Sequence, residues 1–534
     1  MNMPDSIDVL LLVPPMKPVF RPLDLSYIFY EHAKTTENLI PVQLGLLSIA
    51  AFLRREGFSC QYFDLSHFQG DPTLFGTLTN LINKYDPAII GLTSYTSNFN
   101  ATLKVVEIIK KVNPNIMVCV GGPHVTFLDE KSIEQSNYCI DVVVRGEGER
   151  VMRDLTYYYL KGLSLEENVK GITLQKENIS AHDPLIKKTP DQELLTSEEL
   201  SNLPPIALDL IPPKERNKFI YIPLNASRGC SYHCTFCTNP LFWNHKVRFR
   251  SPEKVIEEVL IAEELFPNRM IEFTDTILPF KMNHFENLVN LYIKETKTPI
   301  KMALTRANLT DNKRMQLMKT LLQNEGYVII GVENADSKIL ELMKKPSWEE
   351  QLQALKNLKE FGLSSIPSWM IGFCGENIST MQTNLEKVDY LNRSQLVDSI
   401  ILEIWIPLPG SLPFLAPKKY GVKIHSYNWD YYDRAVFPPP YSLYNPNTGE
   451  ITLSSNQIWS YYLSMVSLQK VWSNKRKLNK RKDISFDQFI KLASKNPRTL
   501  YFSPAGESNI NIYEDLIEEN IVKFNRLEDF LIYK

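Results

Sequence analysis

The segment NASRGCSYHCTFCTNP, Asn225–Pro240, holds Cys230, Cys234 and Cys237, three of the seven cysteines of the chain. Thiolates spaced C-x3-C-x2-C on a tight loop can reach three corners of one [4Fe–4S] cube, which ordinarily takes four cysteines. Bound by three, such a cube keeps one iron open to an exogenous ligand, and an electron carrier becomes a catalyst. Zinc is the alternative. A closed zinc site wants four ligands, and His233 or His245 could supply the fourth. Against it, the loop follows a strand inside a larger domain, whereas zinc ribbons supply two separated ligand pairs. Cys60, Cys119, Cys139 and Cys374 are scattered among apolar neighbours and read as single buried thiols of a reducing compartment.

A loop of this kind needs elements to hold it. The chain has 534 residues, too many for one core, and about three folding units are expected. A net charge of −2 gives no argument for a nucleic-acid or anionic-membrane partner. Apolar runs such as VLLLVPP fall far short of the roughly twenty residues of a membrane span. The opening MNMPDSIDVLLL has Asp5 and Asp8 where a signal peptide would be positive, and reads as the first strand of a cytoplasmic protein.

From Ile7 to about Glu149, short apolar runs alternate with helix-like stretches. IDVLLLVPP, SCQYFDL, AIIGLTS, IMVCVGGPH and DVVVRGEGE read as strands, and VQLGLLSIAAFLRREG and ATLKVVEIIKKVN as helices. The pattern predicts a doubly wound, Rossmann-like parallel α/β sheet over residues 1–165, with ligands at the carboxyl ends of its strands. Residues 166–215 lose periodicity and read as an ordered linker. From Tyr221 a second series, YIPLNASRG, MIEFTDTIL, IKMALTRAN, YVIIGVENA, IPSWMIGFCGE and SIILEIWIPLPG, predicts six βα units in a partial TIM-like barrel over residues 216–414. Residues 415–534 read as a mixed, mainly helical region that caps the pocket.

With its aromatic Phe236 before the last cysteine, the loop resembles that of the radical S-adenosylmethionine superfamily. The resemblance implies that the open iron binds S-adenosylmethionine and that one electron cleaves it to a 5′-deoxyadenosyl radical. It extends to FTDTIL, with Asp275 and Thr276 facing the site, and to LTRAN, where Arg306 could hold the methionyl carboxylate bidentately. It also implies Glu333 of IIGVENA near the ribose, and Gly372 in IGFCGE, where Cys374 stands in place of the usual proline. The front domain resembles the cobalamin-binding domain of the cobalamin-dependent radical enzymes. There the resemblance implies cobalamin contacts at Pro15, at Thr93, Ser94 and Tyr95, at Gly121, Gly122, Pro123 and His124, and at Gly146, Glu147 and Gly148. Small residues at these turns let a nucleotide tail and a corrin edge approach closely, and a side chain at Gly121 or Gly122 would occupy that space.

DLSHFQG is similar to the D-x-H-x-x-G motif whose histidine ligates cobalt elsewhere. Its spacing is one residue too long and it follows the second strand, so His67 is expected on a surface loop. The basic run NKRKLNKRK, Asn474–Lys482, reads as a solvated face, and the aromatics of YNWDYYDR as a pocket lining or as packing. The family implies an enzyme that methylates an unactivated carbon of a small-molecule or peptide substrate, fed by an external one-electron reductant of the flavodoxin or ferredoxin type. Ring formation or oxidative rearrangement shares the same motifs, and a non-catalytic cobalamin or iron–sulfur sensor is the reading from a different class.

Overall fold

Five first-domain strands are short, and all but the edge strand CQYFD are almost wholly apolar runs, which suits them to a sheet covered on both faces. In the computed structural model, which describes residues 6–16, 42–68, 70–175, 185–217, 219, 221–323, 325–432 and 438–478, they are β1 (Val9–Val13), β2 (Cys60–Asp64), β3 (Ile89–Thr93), β4 (Met117–Gly121) and β5 (Val142–Val144). They pair in the order β2-β1-β3-β4-β5, all parallel. The strand order reverses between β1 and β3, the switch point at which such sheets leave a crevice. The helix Leu44–Arg55 turns Leu46, Leu47, Ala50 and Leu53 into the core.

The expected linker is not purely a linker. β6 (Ile172–Gln175) and β7 (Ile186–Lys188) extend the front sheet beyond β5, each antiparallel to its neighbour, with β7 at the edge. They are short and end in polar residues, so periodicity could not separate them from loop.

The second domain contains six parallel strands in chain order. β8 (Tyr221–Leu224) pairs with β11 (Met270–Phe273), and β12 (Met302–Thr305), β13 (Tyr327–Glu333), β14 (Ser365–Ile371) and β15 (Ile401–Ile404) form a four-stranded sheet. A parallel bridge from Ile271 to Ile300 joins the pair to the four. Asp311, Asp336, Ser347 and Asn377 accept backbone N–H groups at the starts of return helices, each cap worth about 1 kcal/mol. Between β8 and β11 stands an antiparallel hairpin, β9 (Ser227–Gly229) with β10 (Val247–Phe249).

Beyond residue 414 the described residues are mixed, with a small sheet ahead of one long helix. β16 (Val422–Ile424), β17 (Tyr441–Tyr444) and β18 (Ile451–Leu453) form an antiparallel sheet, followed by the helix Ser455–Leu478. This region touches both domains. The Tyr441 hydroxyl donates to the carbonyls of Gly372 (2.8 Å) and Trp405 (2.6 Å) in the barrel. Asn100 Nδ2 of the front domain donates to Asn428 Oδ1 and Asp430 Oδ2, both at 2.9 Å. The side chains of the basic run 474–482 lie outside the described residues. No helix among the described residues is long and apolar enough to cross a membrane.

Candidate active site

The three cysteines lie on the 230–246 loop of the β9–β10 hairpin. Gly229 has φ +108°, and a Cβ there would overlap the Lys246 carbonyl, so the loop can open only at a glycine. Asp275 holds the hairpin from below: Oδ2 accepts the Ala226 N–H (2.9 Å) and Oδ1 the Ser227 hydroxyl. Burial raises its pKa to about 6, against the pull of those donors. Asp275 therefore braces the cysteine segment, with both oxygens engaged, and Thr276 beside it is half-buried.

Burial raises the Cys230 thiol above its ordinary pKa and pushes Cys237 up to about 12, and the neighbouring cysteines add to both shifts. Cys230 and Cys237 thus sit where burial favours the protonated thiol, and a metal that binds them displaces those protons. Two cations work in the opposite direction on Cys230, Arg306 and Lys345. Arg306 Nη1 donates to Cys234 Sγ (3.1 Å) and Nη2 to the Lys344 carbonyl (2.9 Å), its guanidinium lies over the Tyr232 ring (4.0 Å), and its buried Nε has no partner among the described residues. A cubane spreads three thiolates over separate corners. Three thiols on one loop, with donors aimed at their sulfurs, fit that group. The rings of His233 and His245 face each other at 4.3 Å. Among the described residues no three His, Cys, Asp or Glu side chains are already grouped around a single-ion position.

Glu333 ends β13 at φ +71°, where the register to β14 slips. It accepts from Ser368 Oγ (2.9 Å) and lies 3.5 Å from Lys345 Nζ. Lys345 was not singled out from sequence, where MKKPSW reads as an ordinary charged helix end. Its burial beside Glu333 marks it. Gly372 also meets the C-terminal region. Its N–H donates to Glu376 Oε2 (2.6 Å), and a Cβ would meet Ile458 and the Tyr441 hydroxyl, so its backbone seats the C-terminal region. Phe236 packs on Phe373 (6.1 Å), which in turn meets Trp405 (5.2 Å).

A cavity of about 340 Å³ lies at the carboxyl ends of the front strands, walled on the other side by barrel residues such as Asn225, Arg228 and Trp243. Thr93, Tyr95, Gly121, Gly122, Pro123, Gly146, Glu147 and Gly148 line it. Gly146 has φ +71°, and no described residue stands within 4 Å of where its Cβ would be, as a cradle for a close-lying cofactor requires. Gly122 works differently: at φ +112° its Cβ would fall 2.4 Å from the Ser94 carbonyl oxygen, against backbone rather than in cofactor space. Pro15, Ser94 and His124 are not among the lining residues. Pro15 is buried beyond β1. Ser94 is fully buried, its N–H on the Gly121 carbonyl (2.7 Å). His124 is packed between Phe99 (4.2 Å) and Trp429 (4.7 Å) with Nδ1 on Thr96 Oγ1 (3.1 Å), and burial lowers its pKa to about 3, which keeps it neutral. The expected rim contact of His124 is thus replaced by a packing role. His67 is exposed on the turn Ser66–Phe68, outside the cavity lining. Glu147 lines the cavity, but its carboxylate is taken by Arg228 and Arg248.

A switch-point cavity with a glycine floor, beside a domain of parallel strands that presents three cysteines on a hairpin, is the arrangement of a two-cofactor α/β enzyme. Residues 36–156 match the B12 binding domain and residues 224–388 the radical SAM superfamily. An uncharacterised methyltransferase of Pyrococcus horikoshii is 31% identical over 69% of this chain and 76% of its own. The anaerobic magnesium-protoporphyrin IX monomethyl ester cyclase of Rubrivivax gelatinosus is 27% identical over 66% of this chain and 62% of its own. The structure of OxsB, a cobalamin-dependent S-adenosylmethionine radical enzyme with aqua-cobalamin and S-adenosylmethionine bound, superposes with a TM-score of 0.64 at 17% identity, covering 98% of this chain and 78% of that one. The chain belongs to the cobalamin-dependent radical S-adenosylmethionine enzymes. Its cofactors are cobalamin, a [4Fe–4S] cluster and S-adenosylmethionine.

Proposed function

We propose that this chain is a carbon methyltransferase acting on an unactivated carbon of a small-molecule or peptide natural product. The observation that carries the reading is the attachment of the three-cysteine hairpin to the glycine floor of the front cavity, which brings two cofactor sites to one interface. The name of the Pyrococcus horikoshii relative supports it. When bound, the cluster and S-adenosylmethionine supply one-electron cleavage and hydrogen abstraction, and cobalamin carries the methyl group. Cys230, Cys234 and Cys237 hold the cluster. Arg306 and Lys345 offer two cations to the methionyl carboxylate, Glu333 takes the ribose hydroxyls, and Phe236 and Thr276 border the same site. Arg306 also keeps a charge-assisted donor on Cys234, which stabilises the deprotonated sulfur a metal requires. The aromatic contacts from Phe236 through Phe373 and Trp405 to Tyr441 seal the strand ends and exclude water. The reductant is an external one-electron donor of the flavodoxin or ferredoxin type, in a cytoplasm reducing enough to keep free thiols.

The test is mass spectrometry of products formed from deuterated-methyl S-adenosylmethionine with candidate substrates. Methylation yields a product carrying the labelled methyl group, with S-adenosylhomocysteine and 5′-deoxyadenosine in similar amounts. The name of the Rubrivivax gelatinosus relative favours a second reading, ring formation. That reaction gives 5′-deoxyadenosine and an unmethylated product without S-adenosylhomocysteine.

A further inference from the structure

The hairpin that carries the cysteines is tied to the front domain at one carboxylate. Glu147 stands between Gly146 and Gly148 in the cavity floor, and its side chain is 5% exposed. Oε1 accepts from Arg228 Nη1 (3.1 Å), while Oε2 accepts from Arg248 Nη1 (2.6 Å) and from the Leu195 N–H (2.8 Å). Arg228 and Arg248 are cross-strand partners on β9 and β10. One carboxylate thus grips both strands of the stem at a single rung.

The grip is reinforced beside it. Arg228 Nη2 donates to Glu149 Oε1 (2.8 Å) and to Ser48 Oγ (3.2 Å), and Ser48 belongs to the helix Leu44–Arg55 that borders the cavity. Burial works against charge on Glu149, yet Arg228 and Ser48 hold its pKa below the ordinary carboxylate value. Arg248 lies against the Trp243 ring at 5.1 Å, and its buried Nε and Nη2 have no partner among the described residues. An array that leaves two guanidinium nitrogens unpaired is poorly built for stability, because buried ion pairs seldom repay desolvation; specifying one register is their better-attested use. Arg228 is two residues before Cys230, so the register set at Glu147 passes directly into the cysteine loop.

We propose that Glu147 is a positioning residue: through Arg228 and Arg248 it fixes the cysteine hairpin against the cavity floor, and so sets the distance between the cluster and the cobalt. The proposal rests on the assignment of that cavity to cobalamin. It is tested on the reconstituted full-length enzyme, reduced so that cluster and cob(II)alamin are both paramagnetic, by the dipolar distance distribution between them. Wild type should give one narrow distribution. Arg248→Gln removes a side chain outside the cavity lining. It should keep cobalamin absorbance and iron content while the distribution shifts or broadens by on the order of 1 Å, a displacement large enough to matter for reacting centres. Arg248→Lys, which keeps the charge, should recover part of the narrow distribution. Glu147 lines the cavity, so Glu147→Gln is read by the distance distribution alone: it should shift or broaden as in Arg248→Gln, and the double variant should be no worse than Glu147→Gln, because both act through one carboxylate. Should Arg248→Gln not accumulate folded, Arg228→Lys supplies the same readout from the other strand. An unchanged distribution in the folded variants overturns the proposal, as does loss of cobalamin from Arg248→Gln. Wild-type protein that takes up no cobalamin overturns the cavity assignment itself and the proposal with it, and the absorbance titration reveals this before any distance is measured.

Discussion

Two glycines border the same cavity and should fail in opposite ways. Gly122 has φ +112°, and a Cβ on it would lie 2.4 Å from the Ser94 oxygen and 2.9 Å from the Ser94 nitrogen, both fixed backbone atoms. Gly122→Ala therefore carries a backbone strain of about 1–3 kcal/mol and an overlap that only movement of the β3 end can relieve. A total near 3 kcal/mol lowers the melting temperature of a domain of this size by roughly 6–12 °C. Gly45 lines the cavity from the first turn of the helix Leu44–Arg55, and a Cβ there meets nothing within 4 Å among the described residues. Gly45→Ala should be neutral or stabilise the apo protein by up to about 1 kcal/mol through helix propensity. Gly45→Phe should keep that stability and block the cavity. The assay pairs thermal unfolding of the apo protein with absorbance titration by hydroxocobalamin. Gly122→Ala should lose melting temperature, and Gly45→Phe should lose uptake with its melting temperature kept. If Gly122→Ala melts like wild type, the close approach to Ser94 is wrong; if Gly45→Phe binds cobalamin normally, the cavity is not its site.

Replacing Cys230, Cys234 and Cys237 together by Ala should abolish binding of about four irons per chain after anaerobic reconstitution, read by iron analysis, and with it 5′-deoxyadenosine formation. His124 has a folded pKa of about 3 against an ordinary 6.5. The unfolded chain thus takes up a proton that the folded one refuses, and stability present above pH 6.5 is lost as pH falls toward 3. At pH 5 the loss from this group is about 2 kcal/mol, and urea midpoints of His124→Phe should fall less between pH 7.5 and 5 than those of wild type. Tyr441→Phe leaves the Gly372 and Trp405 carbonyls without their shared donor and should cost about 1–3 kcal/mol in denaturant titration.

Local chemistry made the cysteine loop legible in the chain itself, because three thiols at that spacing have few uses and the spacing survives any packing. The alternation of apolar runs with helical stretches likewise determined a parallel front sheet and a second series of parallel strands returned by helices, since burial on both faces demands it. The antiparallel strands β6 and β7 and the C-terminal sheet were not legible, because three- and four-residue strands are defined by the partners that pair with them. Side-chain destinations were decided only by the fold. Asp275, Glu147 and His124 looked like cofactor contacts at strand ends. Tertiary packing engages the first with the hairpin backbone, the second with two arginines and the third beneath Trp429. Lys345 went unnoticed in a charged helix end and acquired its place only when β13 brought Glu333 beside it. A motif can specify a residue type where its chemistry is local, but the direction in which a charge points depends on partners a hundred residues away, as Arg248 and Glu147 are.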